Sequence, residues 1–122
     1  MAHRTIRGAI TTENTTEAML ADTKAMLNAL IEENNLSLED ITAIWFTATV
    51  DLNAAYPAVA ARAMGITQAS LMCAQEMAVE GSLPLCLRCM VSIESPLAQS
   101  RMKHVYLKDA AVLRPDLSKG NS

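Results

Sequence analysis

Aromatic side chains are scarce in this sequence, which has one Phe, one Trp and two Tyr among its 122 residues. A core must therefore be built from aliphatic side chains, with the eight methionines filling irregular gaps. No apolar stretch approaches the roughly 20 residues that a membrane span requires. Because 51% of the residues are hydrophobic and 19% are charged, the composition excludes a disordered chain and predicts a folded one.

Neither sign of charge dominates, since the sequence has 10 basic and 13 acidic residues and a net charge of −3. The sequence therefore lacks the basic stripe of a nucleic-acid-binding protein, although a small anionic substrate needs only a few local cations. The cysteines number three, and an odd count argues against a disulfide framework. The N-terminus alternates in polarity and lacks the apolar core of a secretory signal, so we expect a cytoplasmic protein without membrane attachment.

Glycine is also rare, and the four glycines are too scattered to form a phosphate-cradling loop. Cys86 and Cys89 form a C-x-x-C pair, but residues three apart in a strand point to opposite faces and cannot share one metal ion. We interpret them as two buried thiols, and we expect no metal site. No Ser or Cys has the setting of a nucleophile, and His104 beside Tyr106 fits a structural role better than acid–base work. The chain thus lacks the usual equipment for hydrolysis, phosphoryl transfer and hydride transfer.

Hydrophobic periodicity predicts an α+β fold, a single domain with a mixed β-sheet packed by helices. Asn14 is the predicted cap of the long first helix, with Glu17 completing a capping box. The helices look too few to cover both apolar faces of the sheet, which predicts a homo-oligomer. The predicted strands are 3–13, 41–50, 70–73 and 85–93, and the predicted helices are 14–34, 57–64, a turn at 98–102 and 108–112. We expect one domain over 1–116 and a flexible tail over 117–122.

Arg88 is the most informative single position, because a guanidinium in an otherwise apolar strand is costly to bury without a partner. It fits a structural ion pair and an anion site about equally well. Glu76 is a candidate partner, although a solvated loop carboxylate is the better interpretation of that residue alone. Arg7 is displayed on the strand face opposite Ile6 and Ile10.

Three segments resemble one enzyme family: Ile6-Arg7-Gly8-Ala9, Cys73-Ala74-Gln75-Glu76-Met77, and the run from Arg101 through His104-Val105-Tyr106-Leu107 to Leu113-Arg114-Pro115-Asp116-Leu117. Together they resemble the small bacterial chorismate mutases of the trimeric, Bacillus type, in order and spacing over nearly the whole chain. The resemblance implies a homotrimer, a pseudo-α/β-barrel with active sites at the subunit interfaces. It also implies the rearrangement of chorismate to prephenate, a step in phenylalanine and tyrosine biosynthesis that uses no cofactor.

The resemblance assigns roles to individual residues. Arg88 would stabilise the ether oxygen of chorismate electrostatically, while Arg7 and Tyr106 would hold a carboxylate. Glu76 would accept a hydrogen bond from the ring hydroxyl, which Cys73 would support.

The resemblance also implies a wall around the pocket, built from residues that contact the substrate without taking part in the chemistry. Arg114, near the tail, would help to close the site. The chain carries Tyr56 where we expect Phe, and Val59 and Met72 where relatives can carry Lys and Thr. These departures bear on affinity more than on the reaction. The implied wall residues are Tyr56, Ala58, Leu71, Met72, Leu113 and Arg114.

Two other functions are compatible with a trimeric α/β frame. An enamine or imine deaminase of the Rid type also grips a carboxylate with an interface arginine, but the HVYL and LRPDL runs favour the mutase. A non-catalytic sensor of small carboxylates would retain Arg7 and Arg114 and would not need Arg88 and Glu76 together.

Overall fold

The chain is organised by alternating side chains along four strands and by an apolar stripe along one long helix. The computed structural model describes residues 1–113. The helices and strands are β1 (Ala2–Thr11), α1 (Thr16–Glu33), β2 (Ile41–Ala48), α2 (Pro57–Ala63), β3 (Ser70–Gln75), β4 (Cys86–Ser95) and β5 (Val105–Leu107). Short 3-10 turns occupy Leu38–Asp40, Gln99–Arg101 and Lys108–Val112. The predicted α+β class with a mixed sheet is confirmed.

The strands form one five-stranded sheet in the order β3-β2-β4-β1-β5. The central strand β4 runs antiparallel to β1 and β2, whereas β5 is parallel to β1 and β3 is parallel to β2. The strands β3 and β5 are therefore the opposite edges of the sheet. The central position of β4 makes it the most fully paired strand, and it carries Arg88.

One face of the sheet packs against α1 and α2 and forms the main core. Gly8 lets the side chains of α1 approach β1 closely, because a Cβ there would lie 2.9 Å from Leu30 Cδ1 and 3.0 Å from Met26 Cγ. Phe46 is 1% exposed in this core. Other large core side chains that are at most 1% exposed are Ile6, Ile10, Met19, Met26, Leu27, Leu30, Ile44, Leu87 and Ile93. No helix within residues 1–113 is both long and apolar enough to cross a membrane.

The opposite face of the sheet, which we call the open face, carries the strand residues that alternate with those of the core, such as Ala9, Trp45 and Arg88. Trp45, Met72 and Met90 lie there with 42%, 62% and 40% of their surface exposed. The turn Lys108–Val112 covers one end of this face, where Ala9 and two neighbours in the small cluster (Cys86 and Ala110) are buried. Large apolar side chains remain exposed elsewhere on the open face. This is the arrangement from which we predict a homo-oligomer, which stays a prediction.

Two local predictions were wrong. The cap of α1 is Thr15, whose hydroxyl accepts from Ala18 N at 3.1 Å, while the Asn14 side chain instead accepts from the backbone N of Asn53 and Ala54. Glu17 is therefore the second helical residue, and the predicted capping box does not form. Asn14 is drawn away because the loop after β2 presents it with two backbone donors that no local pattern reveals.

The end of the chain was also mispredicted in part. Val105–Leu107 is a fifth strand, and 108–112 is a 3-10 turn where we expected a helix. A three-residue segment is too short to show periodicity, and its strand identity comes from pairing with β1. Lys108 begins the turn with a φ of 53°, a left-handed conformation that interrupts the extended chain.

Candidate active site

A cavity of about 470 Å³ opens on the open face of the sheet. Its floor is organised around Ala9, which pairs with Arg88 of β4 on one side and with Tyr106 of β5 on the other. Arg7 lies two residues earlier on β1, so its side chain projects from the same face. The small side chain of Ala9 leaves room between the two larger groups. The lining includes Arg7, Ala9, Trp45, Thr47, Arg88, Met90, Tyr106 and Leu113.

Arg88 and Glu76 form an ion pair, with Nε 3.5 Å from Oε1. The hydroxyl of Thr47 donates to the same Oε1 at 2.8 Å, and the backbone N of Met77 donates to Oε2 at 3.3 Å. The carboxylate is thus held from both oxygens directly after β3. The Arg88 side chain remains 44% exposed, and its guanidinium has five N–H donors. The ion pair predicted as one alternative for Arg88 is therefore present, and it leaves donors for an anion.

A second group of the predicted site residues lies elsewhere in the chain. Tyr56 and Cys73 line another cavity, of about 270 Å³, at the end of β2. Ala58 is buried in α2, and Leu71 packs against the main core. Met72 alone of this group projects from the open face, opposite Trp45. Within one chain, therefore, Tyr56 and Cys73 do not line the cavity of Arg7 and Arg88.

The predicted site residues include Leu113 and Arg114, of which only Leu113 belongs to the described part of the chain. Leu113 is the last described residue and lines the cavity beside Tyr106. Arg114 lies outside the described residues, as do the predicted domain boundary at 116 and the tail over 117–122.

Thr47 is a site residue that we did not single out from the sequence. It lines both cavities and holds Glu76. The alternation in β2 carries a signal for it, because Trp45 and Thr47 occupy the face opposite Ile44 and Phe46. A threonine in a strand is nevertheless so common that its partner could not be inferred without the pairing of β2 with β3.

The cysteines are free thiols. The prediction that Cys86 and Cys89 point to opposite faces is confirmed, since Cys89 Sγ lies by Gly8 in the main core and Cys86 packs with Ala110 under the open face. Burial raises the pKa of Cys86, against the opposing effect of the Arg88 charge. Burial raises the pKa of Cys89 from 9.0 to about 12. Over residues 1–113, no cluster of three His, Cys, Asp or Glu could hold a metal ion.

The raised pKa of Cys89 predicts a loss of stability in alkali. Above pH 9 the unfolded chain gives up the thiol proton while the folded protein keeps it, so the free energy of unfolding falls as the pH rises, by on the order of 1 kcal/mol per pH unit. The free energy of unfolding, measured with urea at pH 8 and at pH 10, is expected to fall less between these two pH values in Cys89→Ala than in the parent protein. Cys73→Ala, which removes a half-buried thiol, is the matched control. Equal losses in the parent and in Cys89→Ala would contradict this account.

Known proteins resemble this chain over nearly its full length. Residues 3–117 match the family described as chorismate mutase type I. Chorismate mutase AroH of Bacillus subtilis (strain 168) is 43% identical over 120 residues, which cover 97% of this chain and 94% of that protein. Chorismate mutase AroH of Thermus thermophilus is 44% identical over 116 residues, covering 93% and 95%. The solved structure of a chorismate mutase from Clostridium thermocellum is 45% identical, with a TM-score of 0.87 over 88% of this chain and 97% of that one. This chain therefore belongs to the type I chorismate mutase family.

Proposed function

We propose that this protein is an intramolecular isomerase that rearranges chorismate to prephenate in the cavity around Arg88. Family membership over residues 3–117 supports the reaction. The observation that carries the proposal is the ion pair of Arg88 and Glu76 on the open face, with Arg7 and Tyr106 lining the same cavity. We place the activity in the cytoplasm, in phenylalanine and tyrosine biosynthesis.

The rearrangement requires no covalent bond between the protein and the substrate. One carbon–oxygen ether bond breaks while one carbon–carbon bond forms within the same molecule, and no proton or leaving group is transferred. As the ether bond breaks, negative charge grows on its oxygen, and a fixed positive donor stabilises that charge. Arg88 meets this need because it stands on the most fully paired strand and its guanidinium is oriented by Glu76.

The remaining groups would fix the substrate in a reactive conformation. Chorismate is a dicarboxylate, and Arg7 with the Tyr106 hydroxyl would hold one carboxylate. Glu76 would accept from the ring hydroxyl, because an ionised carboxylate has about four acceptor positions, and Thr47, Met77 and Arg88 approach its two oxygens without filling them. Pinning the flexible enolpyruvyl arm over the ring removes the entropy cost of reaching the transition state.

The sheet order supports a site shared between subunits of a homotrimer. Tyr106 belongs to β5 and Cys73 to β3, and these strands are opposite edges of the sheet. Within one chain, Tyr56 and Cys73 line a different cavity from Arg7, Arg88 and Tyr106. A ring in which the β3 edge of one subunit meets the β5 edge of the next would unite them, and three such heterologous contacts can close the ring. The exposed apolar side chains of the open face would be buried by the same assembly.

Purified protein mixed with chorismate tests this proposal. We expect the diene absorbance of chorismate to disappear, with formation of one prephenate for each chorismate consumed, and light scattering to give the mass of three chains. Binding of chorismate without turnover would overturn the proposal in favour of a carboxylate sensor. Hydrolysis of a small imino acid without any effect on chorismate would instead favour a Rid-type deaminase.

A further inference from the structure

The edge strand β5 is only three residues long, yet it carries Tyr106. Its backbone pairs with β1 at Gly8–Val105, Ala9–Tyr106 and Ile10–Leu107. So short a strand has few ladder hydrogen bonds of its own. The position of Tyr106 over the cavity must therefore depend also on contacts made just before and after the strand.

His104 supplies one such contact. Its Nδ1 accepts a hydrogen bond from the backbone N–H of Arg7, with 2.9 Å between the two nitrogens. The bond lies immediately beyond the first backbone pair, Gly8–Val105, so the imidazole extends the ladder by one residue with a side-chain acceptor. This hydrogen bond connects the backbone of Arg7 to His104, which lies two positions before Tyr106. In the neutral ring the proton must then be on Nε2.

Asn34 holds the chain directly before His104. Its side-chain amide donates to Lys103 O at 2.9 Å and accepts from Lys103 N at 2.9 Å, so both backbone groups of Lys103 are engaged. The same amide nitrogen donates to Leu30 O at 2.9 Å, which orients the side chain at the end of α1. The approach to β5 is thus attached to the long helix rather than to the neighbouring loop.

We propose that His104 is a positioning residue for the substrate carboxylate, acting through the distance that its bond sets between Arg7 and Tyr106, with Asn34 holding the approach to β5. This inference rests on the proposed function, in which Arg7 and Tyr106 share one carboxylate. Arg88 lies on β4, which β1 and β2 hold on both sides, so its position does not depend on β5.

The expected kinetic signature is a change in KM rather than in kcat. A carboxylate bound by Arg7 and Tyr106 is bound in the ground state and in the transition state alike, and loss of such uniform binding raises KM while leaving kcat nearly unchanged. A merely structural role would lower the amount of folded trimer and would not separate the two constants.

Two amide variants test the proposal with matched chemistry. Asn at position 104 places its Oδ1 near the position of the His Nδ1 acceptor, whereas Gln places its oxygen farther out. His104→Gln is expected to raise KM about three- to tenfold, the loss of one hydrogen bond, with kcat within about twofold of the parent value. His104→Asn is expected to restore KM to within about twofold of the parent value. In a Tyr106→Phe background the His104→Gln effect should shrink, because the two changes then act on the same contact.

Amide hydrogen exchange provides a reading that does not depend on catalysis. The Arg7 N–H is expected to be protected in the parent and in His104→Asn and to exchange faster in His104→Gln. Equal KM values for the Gln and Asn variants in an active enzyme would overturn the positioning role alone, whereas a parent protein without turnover would remove the proposed function and this role together. If His104→Gln does not fold, Asn34→Asp, which loses the donor to Lys103 O, should raise KM in the same direction, and an unchanged KM there would overturn the proposal.

Discussion

Replacement of Arg88 by alanine is expected to lower kcat at least ~100-fold, as the removal of one preorganised charge-stabilising donor does in other enzymes. The physical reason is that the guanidinium would meet charge that exists only in the transition state, so its loss raises the barrier and not merely KM. The side chain is 44% exposed and its strand is paired on both sides. We therefore expect the variant to fold. Steady-state kinetics with chorismate, together with light scattering, measure both effects.

Two further arginine variants make this result interpretable. Arg101→Ala removes an exposed arginine from the turn Gln99–Arg101, which does not line the cavity, and is expected to leave kcat within about twofold because surface substitutions away from a site have small effects. Arg88→Lys keeps a positive charge but loses the planar fork that meets Glu76 and substrate, so an intermediate kcat is expected. A folded, trimeric Arg88→Ala protein with near-parental kcat would contradict the proposed mechanism.

Replacement of Phe46 by alanine is expected to destabilise the protein by about 3–5 kcal/mol, the usual loss for a fully buried phenylalanine. Phe46 is the single phenylalanine of the chain and is 1% exposed. It lies in β2 between Cys89 of β4 and Cys73 of β3. With aromatics so scarce, the aliphatic neighbours cannot refill its volume, and a cavity would remain beneath the sheet.

Urea unfolding measures this loss, at several protein concentrations because assembly contributes to apparent stability. Phe46→Leu is the control, since it retains most of the apolar volume and is expected to cost less than half as much as Phe46→Ala. A loss below ~1 kcal/mol for Phe46→Ala would mean that the core collapses around the vacant space.

The regular elements were predictable because their signals are local. A stripe at helical spacing marks α1, and strict alternation marks β1 and β4. The prediction that Arg7 leaves its strand on the face opposite Ile6 and Ile10 required only the period of two. Short elements were not predictable in the same way. Three residues cannot show a period, so β5 emerged only from its pairing with β1.

The site was predictable as a set of residues but not as an arrangement. The resemblance named Arg7, Glu76, Arg88 and Tyr106. The structure brings Arg7, Arg88 and Tyr106 together around Ala9, and it pairs Glu76 with Arg88. Contacts such as Thr47 with Glu76, or His104 with Arg7, join residues distant in sequence. They depend on strand order and register, which no local pattern contains.

The sequence by itself determined the class of fold, the faces of the long strands and the family to which the chain is similar, because each of these follows from short-range periodicity or from motifs. Only the tertiary structure decided that β4 is central and that β3 and β5 are opposite edges. It also decided that Arg7, Arg88 and Tyr106 line one cavity while Tyr56 and Cys73 line another. The physical reason is that strand pairing is chosen by the packing of the whole sheet against its two helices. Many orders of the same strands would satisfy the same alternation, and packing selects one of them.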